Sequence, residues 1–123
     1  MLLKPLIWIG SSQQDLCDFP ESVKDVMGYA LHIAQDGGKH PDAKPLKGVG
    51  CAGVLEIVDD YDGDTYRTVY TVRLKTAVYV LHAFQKKSKT GKETPEKEIE
   101  LIRKRLKRAE QIEEDRQGGG QKS

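Results

Sequence analysis

Arg67 stands inside a strand-like run, Tyr66-Arg67-Thr68-Val69-Tyr70. A guanidinium offers donors in a rigid fork that fits two non-bridging oxygens of a phosphate. A second apolar run, Val78-Tyr79-Val80-Leu81-His82-Ala83-Phe84, ends in Gln85-Lys86-Lys87-Ser88-Lys89 and delivers ammonium groups to a fixed place. Upstream, Lys44-Pro45-Leu46-Lys47 adds further cations. Lysine runs are ordinarily solvated surface. Here strand alternation puts Lys86 and Lys87 on opposite faces of a rigid element, and Tyr66, Tyr70, Tyr79 and Phe84 lie among the cations as exposable aromatics. Cations beside exposed rings suit phosphate plus stacked base, the pattern by which sheets recognise RNA. On this reading Lys44, Tyr70, Phe84 and Lys89 contact RNA.

Other motifs carry less. Gly48-Val49-Gly50-Cys51-Ala52-Gly53 has the G-x-G-x-x-G spacing, but a loop precedes it and a strand follows, so no helix N-terminus meets a pyrophosphate. Asp60-x-Asp62-x-Asp64 starts like a calcium loop, yet its glycine and twelfth-position glutamate are missing, and a hairpin turn explains it better. His32, His40 and His82 have no metal-ligand spacing; His82 reads as a hydrogen-bonded sheet histidine. Cys17 and Cys51 match no zinc or redox motif and read as reduced thiols. No cofactor or metal is expected.

The elements that position these residues follow from periodicity. Leu6 to Ile9 is a short strand, and Ser11-Ser12 open a helix to about Phe19. Val23, Val26, Met27, Ala30, Leu31 and Ala34 form one apolar face of a helix over Glu21 to Gln35, closed by Gly37-Gly38. Lys39 to Gly53 reads as loop. Val54 to Val58 is a strand on which Glu56 either faces solvent or pairs across the sheet. Asp59 to Asp64 reads as a polar turn, and strands follow at about Thr65 to Leu74 and Ala77 to Gln85. Thr94-Pro95 starts a last helix with Ile99, Ile102, Leu106 and Ala109 along one stripe, acids early and bases late. The expectation is an α+β domain in the order β-α-α-β-β-β-α, an antiparallel meander with helices packed on one face.

The chain has 123 residues, enough for one domain, and a net charge of +1. The charges are segregated: Lys86 to Lys92 holds lysines and no acid, whereas Val58 to Asp64 holds aspartates and no base. Residues 1–115 form the domain, and 116–123 have nothing to bury and read as a disordered tail. There is no signal-like or membrane-length apolar segment, so a soluble, cytoplasmic protein is expected.

In order and spacing, Leu46-Lys47-Gly48, Val54-Leu55-Glu56-Ile57, Tyr66-Arg67-Thr68-Val69-Tyr70, Val80-Leu81-His82-Ala83-Phe84-Gln85-Lys86-Lys87-Ser88-Lys89 and Thr94-Pro95 resemble the RelE/ParE toxin superfamily. The branch most similar is the phage-derived HigB-like (Gp49-like) one, over roughly Lys4 to Ala109. The resemblance implies a RelE-like fold and the toxin of a bacterial type II toxin-antitoxin system. It implies a ribosome-dependent endoribonuclease (mRNA interferase) that inhibits translation, bound in a hetero-oligomer to a cognate Xre-type helix-turn-helix antitoxin. Others in the superfamily poison gyrase, and a phage module that occupies a host target is a further non-enzymatic alternative. So is a plain RNA-binding domain.

By resemblance, Lys47 is the basic residue before the meander and Arg67 the arginine of the x-R-h-h-Y strand. Lys86 and Lys87 stand where related toxins carry His or Tyr. The implied chemistry is metal-independent attack of a 2′-hydroxyl on the adjacent phosphorus. Arg67 would stabilise the phosphorane. Lys47, Lys86 and Lys87 are acid and base candidates, with Glu56 a second candidate base. The expectation is that Arg67→Ala leaves a folded protein without growth-arresting activity; a folded and fully toxic variant would refute the assignment.

Overall fold

The computed structural model describes residues 3–50, 52–86 and 94–118. A five-stranded sheet in the order β1-β5-β4-β3-β2 carries three helices. The elements are β1 (Leu6–Trp8), α1 (Ser12–Cys17), α2 (Glu21–Gln35), β2 (Lys44–Pro45), β3 (Val54–Tyr61), β4 (Asp64–Thr71), β5 (Val78–Lys86) and α3 (Glu96–Arg116). The α+β class and the expected order hold, and β3-β4-β5 is the expected antiparallel meander. The two-residue β2 is an addition within the expected loop; it pairs Lys44 with Glu56 and Pro45 with Leu55. β1 runs parallel to β5, which makes β5 interior. That is why Val78-Tyr79-Val80-Leu81 is apolar without alternation: both faces of the strand are covered and all four are fully buried.

The helices are divided between the faces, where the sequence placed them together. α1 and α2 cover one face, with Val23, Met27, Ala30, Leu31 and Ala34 packed on Leu55, Ile57, Tyr70 and Val80. α3 covers the other, where Ile99, Ile102, Leu106 and Ala109 meet Val54, Val69, Tyr79 and Leu81. The reason is that Val54, Val69 and Tyr79 alternate with the first set along the same strands. The sheet therefore has two apolar faces, and a single helical layer leaves one of them wet.

Two other boundaries differ. The expected turn over Asp59 to Asp64 tightens to Asp62-Gly63, both at positive φ (53° and 86°), so the ladder continues to the Tyr61–Asp64 pair. Such a two-residue turn matches strand twist, and Asp-Gly is a preferred pair for it. The expected tail begins too early. Arg116 is helical and donates from Nε to Thr76 Oγ1 at 2.7 Å. Residues 119–123 lie outside the described residues.

One irregularity in β5 matters for everything near its end. Tyr70 pairs with Val80 but Val69 pairs with His82, so Leu81 is an extra residue. The bulge changes the phase of the strand. His82, Phe84 and Lys86 therefore lie opposite Val69, Arg67 and Thr65, on the face that α3 covers. Arg105 of α3 seals the bulge. Its Nη1 donates to the Leu81 carbonyl at 3.0 Å and reaches His82 Nδ1 at 3.4 Å, and its Nη2 donates to Ser11 Oγ. The guanidinium lies on Gly10, where φ is +59° and a Cβ would stand 2.8 Å from Cζ; a larger residue is strained at that φ and displaces the guanidinium.

The far end of α3 is fixed by a buried carboxylate. Glu113 accepts from Thr76 N (2.9 Å), Thr76 Oγ1 (2.7 Å), the Tyr79 hydroxyl (2.8 Å) and Gln117 Nε2 (2.6 Å). Burial opposes its charge, but the Thr76, Tyr79 and Gln117 hydrogen bonds outweigh it and hold the carboxyl down at about 2. Burial, then Glu113 itself, push the Tyr79 phenol up to about 12. The folded carboxyl titrates below its unfolded value of about 4.3, so its stabilisation is complete above that value and is lost as pH falls toward about 2. Glu113→Gln brings an amide N–H₂ among donors. It is expected to lower stability at pH 7 by about 1–3 kcal/mol, with the deficit shrinking from about pH 5 toward pH 2 in urea titrations. A deficit that stays constant over that range would show that the charge is not what stabilises.

Candidate functional site

Glu56 and Arg67 form the centre of the site. Glu56 pairs in register with Val69 and Arg67 with Val58, so the two side chains share the α3 face and meet diagonally across β3 and β4. Arg67 Nη1 donates to Glu56 Oε1 at 2.9 Å, and the side chains are only 6% and 8% exposed. Of the two readings of Glu56, the cross-sheet pair is the one that occurs. A buried charge must be paired, and each of these two charges is paired with the other.

Glu56 also opens onto a groove. A cleft of about 450 Å³ runs between the β2 edge, the loop after it and the start of α3. Lys44 and Lys47 stand on one wall, Glu56 forms part of the floor, and Glu96 and Ile99 of α3 line the opposite side. Lys44 is brought in by its register with Glu56, and both lysines are exposed. The groove can hold an anion at the ammonium groups beside a carboxylate that is nearly desolvated.

The other expected residues are distributed differently. Arg67 is not among the groove-lining residues; it stands one strand further in and touches the groove through Glu56. Lys86 is half-buried on the α3 face, opposite Thr65, and does not line the groove either. Lys87 and Lys89 lie outside the described residues. Phe84 is half-buried and stacks on His82, centroids 4.7 Å apart and planes at 24°. Tyr70 does not fit the RNA-contact role: it is fully buried on the α2 face, and burial pushes its phenol up to about 12. Tyr66 and Tyr79 are buried as well, at 8% and 0% exposure. A strand flanked by neighbours and roofed by helices presents its aromatics to the core rather than to a base.

Sequence reasoning left His82 as a sheet histidine and gave Glu98 only a helix-dipole role. In the structure His82 Nε2 lies 2.6 Å from Glu98 Oε1 and Nδ1 faces Arg105. A guanidinium only donates, so the Arg105 contact matches the tautomer in which Nδ1 accepts and Nε2–H faces Glu98. Nothing in the local sequence marks this triad, whose members meet only through the bulge and the placement of α3. Among the described residues no group of His, Cys, Asp or Glu is arranged to hold a metal ion. No helix among them is long and apolar enough to cross a membrane.

The burial of the Glu56–Arg67 pair changes what Arg67→Ala does. Removing one member leaves the other buried and uncompensated, which costs about 3–5 kcal/mol. Thermal or urea unfolding of Arg67→Ala is expected to show that loss, whereas Glu56→Leu with Arg67→Met is expected to recover most of it. A single variant as stable as wild type would show that the pair is not desolvated.

Comparison with known proteins follows the same lines. Residues 14–107 match the family described as Phage derived protein Gp49-like. Among curated proteins none matches. The structure of Escherichia coli toxin RelE in the free state, a mutant with two arginine-to-alanine changes, aligns with a TM-score of 0.53 at 17% identity, covering 87% of this chain and 98% of that one. The toxin-antitoxin complex RelBE2 of Mycobacterium tuberculosis aligns with a TM-score of 0.43 at 20% identity, over 72% and 97% of the respective chains. The family match spans well over half of the sequence, so the chain belongs to the phage-derived Gp49-like family, and its fold is that of RelE.

Proposed function

We propose that this protein is the toxin of a type II toxin-antitoxin system and acts as an endoribonuclease on mRNA in the ribosome. The observation that carries the reading is the desolvated Glu56 carboxylate, held by Arg67, on the floor of a groove walled by Lys44 and Lys47. Cleavage without a cofactor needs a base for the 2′-hydroxyl, an acid for the leaving 5′-oxygen, and positive charge at phosphorus. The groove offers all three.

In this reading the roles shift between the expected residues. Glu56 takes the 2′-hydroxyl proton as the 2′-oxygen bonds to phosphorus. The bond to the 5′-oxygen breaks, and the Lys47 ammonium supplies the proton that makes the 5′-hydroxyl. A cyclic phosphate remains on the other fragment. A carboxylate is a better base at neutral pH than a lysine, which is charged there. Lys44 neutralises the phosphate, and Arg67 fixes the carboxylate's direction instead of clamping the phosphorane. Phe84 extends the RNA path. The ribosome positions the substrate, which explains why a shallow groove suffices. A cognate antitoxin, of the Xre type by family resemblance, neutralises the toxin in a cytoplasmic hetero-oligomer.

Expression of Glu56→Gln, which keeps an oxygen for Arg67, and of Lys47→Ala tests this. Each is expected to fold and to lose roughly 100-fold or more of cleavage of translated mRNA, with loss of growth arrest. Wild-type cleavage ends should carry the cyclic phosphate. Growth arrest with intact mRNA and gyrase-linked DNA breaks would instead favour the non-enzymatic gyrase poison.

A further inference from the structure

Lys47 sits on a loop whose direction is not fixed by the sheet. Pro45 is the last residue of β2, and Leu46 N donates to the Val54 carbonyl at 3.0 Å. Leu46 and Val49 are buried, at 6% and 4% exposure, and anchor the loop at two points. Between them Lys47 and Gly48 bow outward, with Gly48 at φ +92° and its Cα facing Ile99 of α3. Among the described residues that segment has no ladder partner.

Arg103 supplies the hold. It reaches across from α3, and its Nη2 donates to the Gly48 carbonyl while its Nε approaches the Val49 carbonyl at 3.4 Å. Its Nη1 lies 3.6 Å from Glu96 Oε2. The same guanidinium thus grips the carbonyls of the two residues that follow Lys47 and engages the carboxylate on the opposite wall of the groove. Without it, the Lys47 ammonium loses its fixed direction and Glu96 is free to compete for it as an internal anion.

We propose that Arg103 is a positioning residue that holds Lys47 toward the groove and keeps Glu96 away from it. The inference rests on the ribonuclease reading only in taking RNA phosphate as the groove's anion. Arg103 itself is 45% exposed, so a direct phosphate contact is the alternative to exclude.

A double-mutant cycle separates them. The measurements are cleavage of translated mRNA, and the salt dependence of binding to a single-stranded oligonucleotide with a 2′-deoxy cleavage position. Arg103→Ala is expected to lower kcat/KM by about 10- to 100-fold and to reduce the salt slope by about 0.7, the share of one phosphate contact on a single strand. In the Lys47→Ala background it should do nothing more, because it acts through Lys47. Arg103→Lys, with one donor direction in place of the fork, should restore part of the rate. Adding Glu96→Gln to Arg103→Ala should also recover part of it. Losses that add in the double variant would overturn the proposal in favour of direct contact. Arg103→Lys serves in the same cycle if Arg103→Ala does not fold. If Lys47→Ala alone changes neither rate nor slope, the functional reading falls, and this inference with it.

Discussion

A guanidinium and a carboxylate 2.9 Å apart, on the sheet face that Val69 shares with α3, set the terms for the rest of this fold. Neither charge tolerates the interior alone, and each is positioned by strand register rather than by its own flexibility. Register at the Val58–Arg67 and Glu56–Val69 pairs brings them together, and the Asp62-Gly63 turn fixes that register. A slip of β4 by one residue turns Arg67 to the α2 face, into a core of leucine, valine and tyrosine, and leaves Glu56 behind on the other. The tightness of the hairpin is therefore a condition for a buried ion pair.

Helix α3 completes that arrangement. It supplies the wall of the groove at Glu96 and Ile99 and a series of polar ties to the sheet. Arg103 takes the carbonyls of the loop after β2, Arg105 the carbonyl exposed by the bulge, and Glu113 the Thr76 amide and hydroxyl before β5 and the Tyr79 hydroxyl within it. A strongly charged helix with a narrow apolar stripe is suited to this: the stripe gives adhesion and the flanking side chains give position. The bulge at Leu81 belongs to the same design, since it turns His82, Phe84 and Lys86 to the side that α3 occupies.

The segregation of charge has a spatial meaning. The lysines of β2 and its loop face the groove, whereas the Asp59 to Asp64 acids lie along the β3–β4 hairpin. Among them the Asp59 carboxyl is pushed up by partial burial and by Asp60 and Asp42. A polyanion approaching this surface is drawn to one end and repelled from the other, although the chain is nearly neutral.

The sequence by itself determined the elements and most of their inward faces. The α2 residues Val23, Met27, Ala30, Leu31 and Ala34 and the α3 residues Ile99, Ile102, Leu106 and Ala109 are buried as their spacing requires, because a helical period is a local property. The RelE-like fold was also legible, through short motifs in a fixed order. Tertiary structure alone decided which face each helix covers, because an apolar stripe states that it must be buried but not where. It decided that Tyr70 is core and that Arg67 is partnered, since exposure depends on neighbours distant in sequence. It also decided that Glu56, Lys44 and Lys47 share a groove while Lys86 stands apart. Those residues meet through register, a bulge and a helix crossing, and no spacing along the chain encodes such contacts.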